Sequence, residues 1–217
     1  MLTDNNPYYG IQIISGGVIK LTTIRASGNF HGLLVQGYEK WVYDPVADED
    51  VFDSLISPIS VTLTSPADAN FANIFNNNYG GIVIQSEKTV LLTNFTANGN
   101  SLSGVWVQGM CKEGGTPGTD SCTKAGAVTI KSTISNYVNT ITPHDGMGIY
   151  VYDSKGAVII ERTVIDGAPG DGIYVTTLGA ITLKDVKSNN STSNGAYLDN
   201  QAALTALPVT LTNCEFN

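Results

Sequence analysis

Carboxylates gather in the last third of this chain: Asp145, Asp153, Asp166, Asp171 and Asp199. One stretch, Asp166-Gly167-Ala168-Pro169-Gly170-Asp171-Gly172, has the composition to wrap a cation, because two carboxylates and the carbonyls between them are the hard oxygen ligands that calcium takes. The same residues also describe a turn in which each Asp side chain bonds nearby backbone. The acid run Asp48-Glu49-Asp50 offers a similar choice, between calcium and the favourable place for acids at a helix N-terminus. Cys111 and Cys122 bracket a polar, Gly- and Thr-rich loop. A disulfide there closes about a dozen residues, adds on the order of 3 kcal/mol and implies an oxidising, extracellular compartment. Zinc fits poorly, since His31 and His144 lie far away along the chain and no second Cys pair exists. Cys214, at an apolar repeat position, is expected as a buried free thiol. Trp106, Tyr150, Tyr174 and Tyr197 offer flat aromatic faces of the kind that suit the apolar faces of sugars.

The elements that must position these groups recur. A short apolar segment opens at Gly10, Gly32, Gly81, Gly104, Gly148, Gly172 and Gly195, at intervals of 22, 49, 23, 44, 24 and 23 residues. Each has the form Gly-aliphatic-x-aliphatic, as in Gly81-Ile82-Val83-Ile84 and Gly172-Ile173-Tyr174-Val175. A second segment of alternating aliphatics follows, as in Val90-Leu91-Leu92 and Ile181-Thr182-Leu183, and then a third apolar pair such as Phe95 with Ala97 or Val186 with Ser188. Period-two alternation makes these strands, with one face inward. Asn, Gly and Ser between them tolerate the left-handed backbone of sharp corners. Three short strands per 23 residues, with no helix-length segment between, predict coils that stack and bury a cylinder of Ile, Leu and Val.

The fold class expected is therefore all-β: a single parallel β-solenoid over residues 1–217, of seven or eight coils. Two inserts interrupt it, at about 37–58 and 109–124. Within the first, Asp44-Pro45 followed by acids has the form of a helix start, so a short helix is predicted over 44–56. In each opening strand the middle residue points outward, which places Gln12, Leu34, Val83, Trp106, Tyr150, Tyr174 and Tyr197 in one column. Adjacent strands lie about 4.8 Å apart, close to the advance of one sugar unit along an extended glycan. Stacking of like residues also stabilises a parallel sheet by itself, so the column has a purely structural reading too.

Composition removes other classes. Lys and Arg number 11 against 19 Asp and Glu, a formal charge of −8, which repels phosphate backbones and makes nucleic acid a poor partner. No apolar run approaches the roughly 18 residues that span a bilayer.

These repeats resemble the right-handed parallel β-helix of the pectin-lyase-like superfamily, and more closely the Asn- and Gly-rich β-helix repeats of large bacterial surface and adhesin-type proteins. The resemblance covers nearly the whole chain. It implies the fold and leaves the activity open, since that fold carries lyases, hydrolases, epimerases and inert stalks. The polygalacturonase motifs Asn-Thr-Asp, Asp-Asp, Gly-His-Gly and Arg-Ile-Lys are absent, and the two arginines, Arg25 and Arg162, stand outside the opening strands. The Asp-Pro-His-Glu of alginate epimerases is echoed by Thr142-Pro143-His144-Asp145. That similarity implies His144 as proton acceptor from a uronate carbon, with Asp145 beside it and a nearby Tyr as acid.

The reading expected from all this is a non-catalytic, extracellular or cell-surface structural and adhesive solenoid without a cofactor. The alternative is a carbohydrate-active protein: a glycan-binding spike through Trp106, Tyr150, Tyr174 and Tyr197, or a uronate epimerase or lyase through His144 and Asp145. Calcium at Asp166 and Asp171 is the alternative cofactor. A tail ending in the second and third strands of a coil, and a head beginning with a turn and an opening strand, add the expectation of head-to-tail stacking with itself or with neighbouring segments.

Overall fold

A computed structural model describes residues 2–66, 68–111 and 122–217. The loop between the two cysteines, residues 112–121, lies outside these residues, and with it the centre of the second insert. The opening segments form one seven-stranded parallel sheet, from Tyr9–Ile14 and His31–Gln36 through Gly80–Gln85, Ser103–Gln108, Met147–Ser154 and Ile173–Thr177 to Ala196–Asp199. The second segments pair in parallel in the same order, with Val61, Val90, Val128, Val158, Ile181 and Val209 in successive register. The third segments stack as a further face, Asn73–Ile74 on Phe95–Asn100 and that on Asn139–Pro143.

Long strands show how the second and third faces join. Val158–Asp166 and Ile181–Asn189 run through both faces and bend at Arg162 and Asp185, whose φ values are 49° and 53°. Thr23, Asn94 and Asn213 make the same left-handed bend in other coils. Asn and Asp take this conformation readily, whereas Thr and Arg are forced into it by the stacking on either side.

The core is the predicted cylinder. Leu33, Ile82, Val105, Ile149 and Ile173 are fully buried from the first sheet, and Leu63, Leu92, Ile130, Ile160 and Leu183 from the second. Burial of each such side chain contributes about 1.5–3 kcal/mol.

The corner before the first sheet carries an asparagine ladder inside the molecule. Asn29, Asn78 and Asn100 are buried, and the Oδ1 of each accepts the backbone N–H of its neighbour: Asn6 to Asn29, Asn29 to Asn78, Asn78 to Asn100, all at 2.9 Å. Their Nδ2 groups donate across coils to carbonyls of Thr3, Ala26 and Phe75. This ladder explains the opening glycines Gly10, Gly32 and Gly81, whereas Gly104, Gly148, Gly172 and Gly195 are crowded by Ile141, Ile165, Ser188 and Phe216. A Cβ on Gly32 would lie 2.8 Å from Asn78 Nδ2, and one on Gly81 would lie 2.7 Å from Asn100 Nδ2.

The helix predicted over 44–56 is not formed. Tyr38–Asp44 and Glu49–Ile56 are instead the two arms of an antiparallel hairpin, with Trp41 opposite Phe52 and Val42 opposite Val51. Asp44 does bond forward, its Oδ1 accepting from Val46 and Ala47. The chain then reverses at Asp48, left-handed at φ 57°, so the acids open a strand. Alternating aromatic and β-branched residues on both sides outweigh the helix-start signal. A second correction concerns Cys214, which is free but only half-buried, its Sγ 3.4 Å from the Leu183 carbonyl. Its coil packs against the core from one side only. Cys111 and Cys122 are joined by a disulfide.

Candidate binding groove

Strict register across the first sheet brings the outward column together. Gln12, Leu34, Val83, Trp106, Tyr150, Tyr174 and Tyr197 are direct partners from strand to strand. The aromatic part is continuous: Trp106 meets Tyr150 edge-on at 5.4 Å, Tyr150 lies 5.2 Å from Tyr174, and Tyr174 stacks on Tyr197 at 4.8 Å. Tyr152 stacks beside Tyr150 at 5.6 Å, widening the platform. Burial raises the Tyr150 pKa to about 12, with Tyr152 and Tyr174 adding to it, and burial raises that of Tyr174 as well. Both rings therefore keep their protons across the physiological range.

The other half of the column differs from its appearance in sequence. Leu34 and Val83 point outward yet are only 6% and 8% exposed, because they form the floor of a groove of about 530 Å3. Tyr9, His31, Tyr79 and Leu102 line one rim, at the start of the strands, and Gln36, Gln85 and Gln108 the other. Trp106 borders this groove and also an adjoining hollow of about 220 Å3 shared with Met147 and Tyr150. Groove and aromatic column therefore run on as one trough across the sheet.

Aromatic contacts fix the first rim. His31 lies flat against Tyr9 at 5.6 Å and edge-on to Phe30 at 4.6 Å, and Phe30 stacks on Tyr79 at 4.8 Å. Burial lowers the His31 pKa, opposed by the Gly80 backbone, so the imidazole stays neutral. On the other rim, Trp106 Nε1 donates to Gln108 Oε1 at 2.9 Å, tying the indole to the row of amides.

The remaining candidates are dispersed. His144 and Asp145 contact each other at 3.1 Å, but their side chains are 74% and 70% exposed on the turn before Met147. Arg25 pairs with Ile74 on the third face and Arg162 sits at a bend, so neither arginine joins that pair. Asp166 accepts from Asn190 Nδ2, while Asp171 accepts both the N–H and Nδ2 of Asn194, each at 2.8 Å. Both acids are thus engaged in turn-to-turn bonds, and no group of three metal-ligating side chains occurs among the described residues. Sequence reasoning missed Tyr9, His31, Tyr79 and Leu102. The signal available was their common place one or two residues ahead of an opening glycine.

Neither a curated protein nor a solved structure matches this chain significantly. The family model for the right-handed β-helix region matches residues 72–183, more than half of the 217 residues. With parallel strands stacked in register around one apolar cylinder, the chain belongs to the right-handed β-helix family.

Proposed function

We propose that this chain is a non-catalytic, adhesive β-solenoid of the cell surface or extracellular space, and that its first sheet holds an extended glycan along its outer face. The observation carrying this reading is the trough itself, in which Trp106, Tyr150, Tyr174 and Tyr197 continue a groove walled by amides. Repetition of one ring per coil, about 4.8 Å apart, suits a polymer whose units repeat at a similar advance. The disulfide between Cys111 and Cys122 supports an oxidising location. Catalysis on a uronate needs convergent acids and cations, and no Asp, Glu, Lys or Arg lines the groove or the hollow beside Trp106; at the far end of the column, Asp199 accepts from the Tyr197 hydroxyl at 3.4 Å.

Affinity electrophoresis through gels containing soluble polysaccharides tests this. At least one polysaccharide should retard the protein, and Tyr174→Ala should abolish most of the retardation while leaving the circular dichroism spectrum intact. Retardation indifferent to Tyr174→Ala contradicts the reading.

The purely structural alternative has its own support, because the same rings touch one another, and such pairs are worth about 0.5–1.5 kcal/mol beyond buried area. On that reading Tyr174→Ala lowers stability and no polysaccharide retards the protein.

A further inference from the structure

Resting on the glycan reading above, the geometry points to a ligand class: we propose that the amide-walled half of the trough binds the acetamido group of an uncharged N-acetylated sugar. Gln85 and its row neighbours bond the group's N–H and C=O, and Leu34 and Val83 receive its methyl.

Three features carry this. First, no Asp, Glu, Lys or Arg lines the groove. Glu39 borders an adjoining cavity that shares Gln36 and Gln85 with the groove. That carboxylate, and a formal charge of −8 over the chain, oppose a uronate or other anionic sugar.

Second, the amides are available. Gln85 and Gln108 are direct cross-strand partners, and Gln36 holds the same place in the preceding coil. Gln36 and Gln85 side chains have no hydrogen-bond partner among the described residues, and Gln108 spends its Oε1 on Trp106. A free carboxamide presents a donor and an acceptor side by side, the complement of another amide. A carboxylate ligand would present acceptors alone and leave the glutamine carbonyls opposed.

Third, the floor is apolar and sheltered. Two outward aliphatic side chains on adjacent strands lie under the amide row, where a methyl group is removed from water and a hydroxyl would lose its hydrogen bonds. The aromatic rim of Tyr9, His31 and Tyr79 closes the other side.

Saturation-transfer NMR on the full chain tests the assignment with matched sugars: N-acetylglucosamine against glucose, and N-acetylgalactosamine against galactose, with galacturonate and N-acetylglycine amide added. The acetamido sugars should receive more saturation than their parents, most strongly at the methyl protons. Gln85→Leu should weaken binding about tenfold, the scale of one lost hydrogen bond to a ligand. Gln85→Glu, nearly isosteric, should do the same, because a carboxylate cannot donate to the acetamido carbonyl. Equal saturation of parent sugars, preference for galacturonate, or no saturation of any sugar overturns the assignment. Saturation of N-acetylglycine amide as strong as that of the sugars overturns it in favour of a peptide ligand. If polysaccharide retardation still depends on Tyr174, the wider glycan reading survives that failure. If acetamido sugars bind in the absence of any retardation, the groove assignment stands and the extended-polymer reading falls.

Discussion

Replacing Asn78 by alanine should be among the most damaging single changes outside the aliphatic core. The side chain is 2% exposed. Its Oδ1 accepts the Asn29 backbone N–H at 2.9 Å and Asn29 Nδ2 at 3.3 Å, and its Nδ2 donates to the Ala26 carbonyl and to Asn100 Oδ1, both at 3.1 Å. Alanine removes all four. Asn100 Oδ1 keeps the Asn78 N–H, and Asn29 Nδ2 keeps the Thr3 carbonyl. The Asn29 N–H and the Ala26 carbonyl, however, lose their partners in buried surroundings. At about 1–3 kcal/mol for each of the two buried orphans, the expected loss is about 2–6 kcal/mol. Urea unfolding followed by circular dichroism measures it, with Gln12→Ala as an exposed control on the outward column. Stacking in a solenoid acts between neighbours, so hydrogen exchange at the Asn29 amide should quicken while that at Val158, which bonds the Ala180 carbonyl several coils away, stays slow. A loss below about 0.5 kcal/mol, the range of ordinary surface changes, would refute the claim that the ladder holds this corner.

Gly81→Ala should lower the melting temperature sharply, since a Cβ there lies 2.5 Å from the Gly104 carbonyl oxygen and 2.7 Å from Asn100 Nδ2. A melting curve like the wild type's would show that the ladder can yield. Mass spectrometry after alkylation without reduction should find a single modified cysteine, Cys214; reduction should expose two more and leave the sheet's dichroism unchanged, because coil stacking does not pass through that bond. In alkaline titration by ultraviolet absorbance, Tyr150 and Tyr137 should ionise last, near pH 12, both held up by burial. The folded state keeps these protons where the unfolded chain has lost them, so the stabilisation is full below about pH 10 and is lost between pH 10 and 12. Tyr150→Phe should remove one late-ionising group and lessen the alkaline loss of stability; an unchanged titration would contradict the burial.

How much of this was legible in the amino-acid sequence depends on what sets each side chain's direction. Inside strands the alternation does, so Ile82, Val107, Val175 and Leu183 were readable as core and Trp106, Tyr150, Tyr174 and Tyr197 as one outward column. At corners it does not. Asn29, Asn78 and Asn100 read as turn residues suited to left-handed backbone, whereas they act as an internal ladder that also accounts for Gly10, Gly32 and Gly81. Tyr9, His31 and Tyr79 stand at strand starts, and only stacking of the corners turns them over Leu34 and Val83 to make a groove. The hairpin at 38–56 was hidden by Asp44-Pro45 and its following acids, a local helix-start signal overridden by cross-strand pairing of Trp41 with Phe52. Arg162 at a left-handed bend carries no signature of its own; its register with Asp185 one coil later is the clue.

Trp106 is the junction of groove and column, and its fluorescence reports on both. The chain has two tryptophans, so Trp41→Phe leaves Trp106 as the sole indole. Titration of that variant with a polysaccharide that retards it in gels should give a saturable change in Trp106 emission, at the concentrations that cause retardation. Saturable retardation with Trp106 emission unchanged would place the ligand elsewhere and contradict the account.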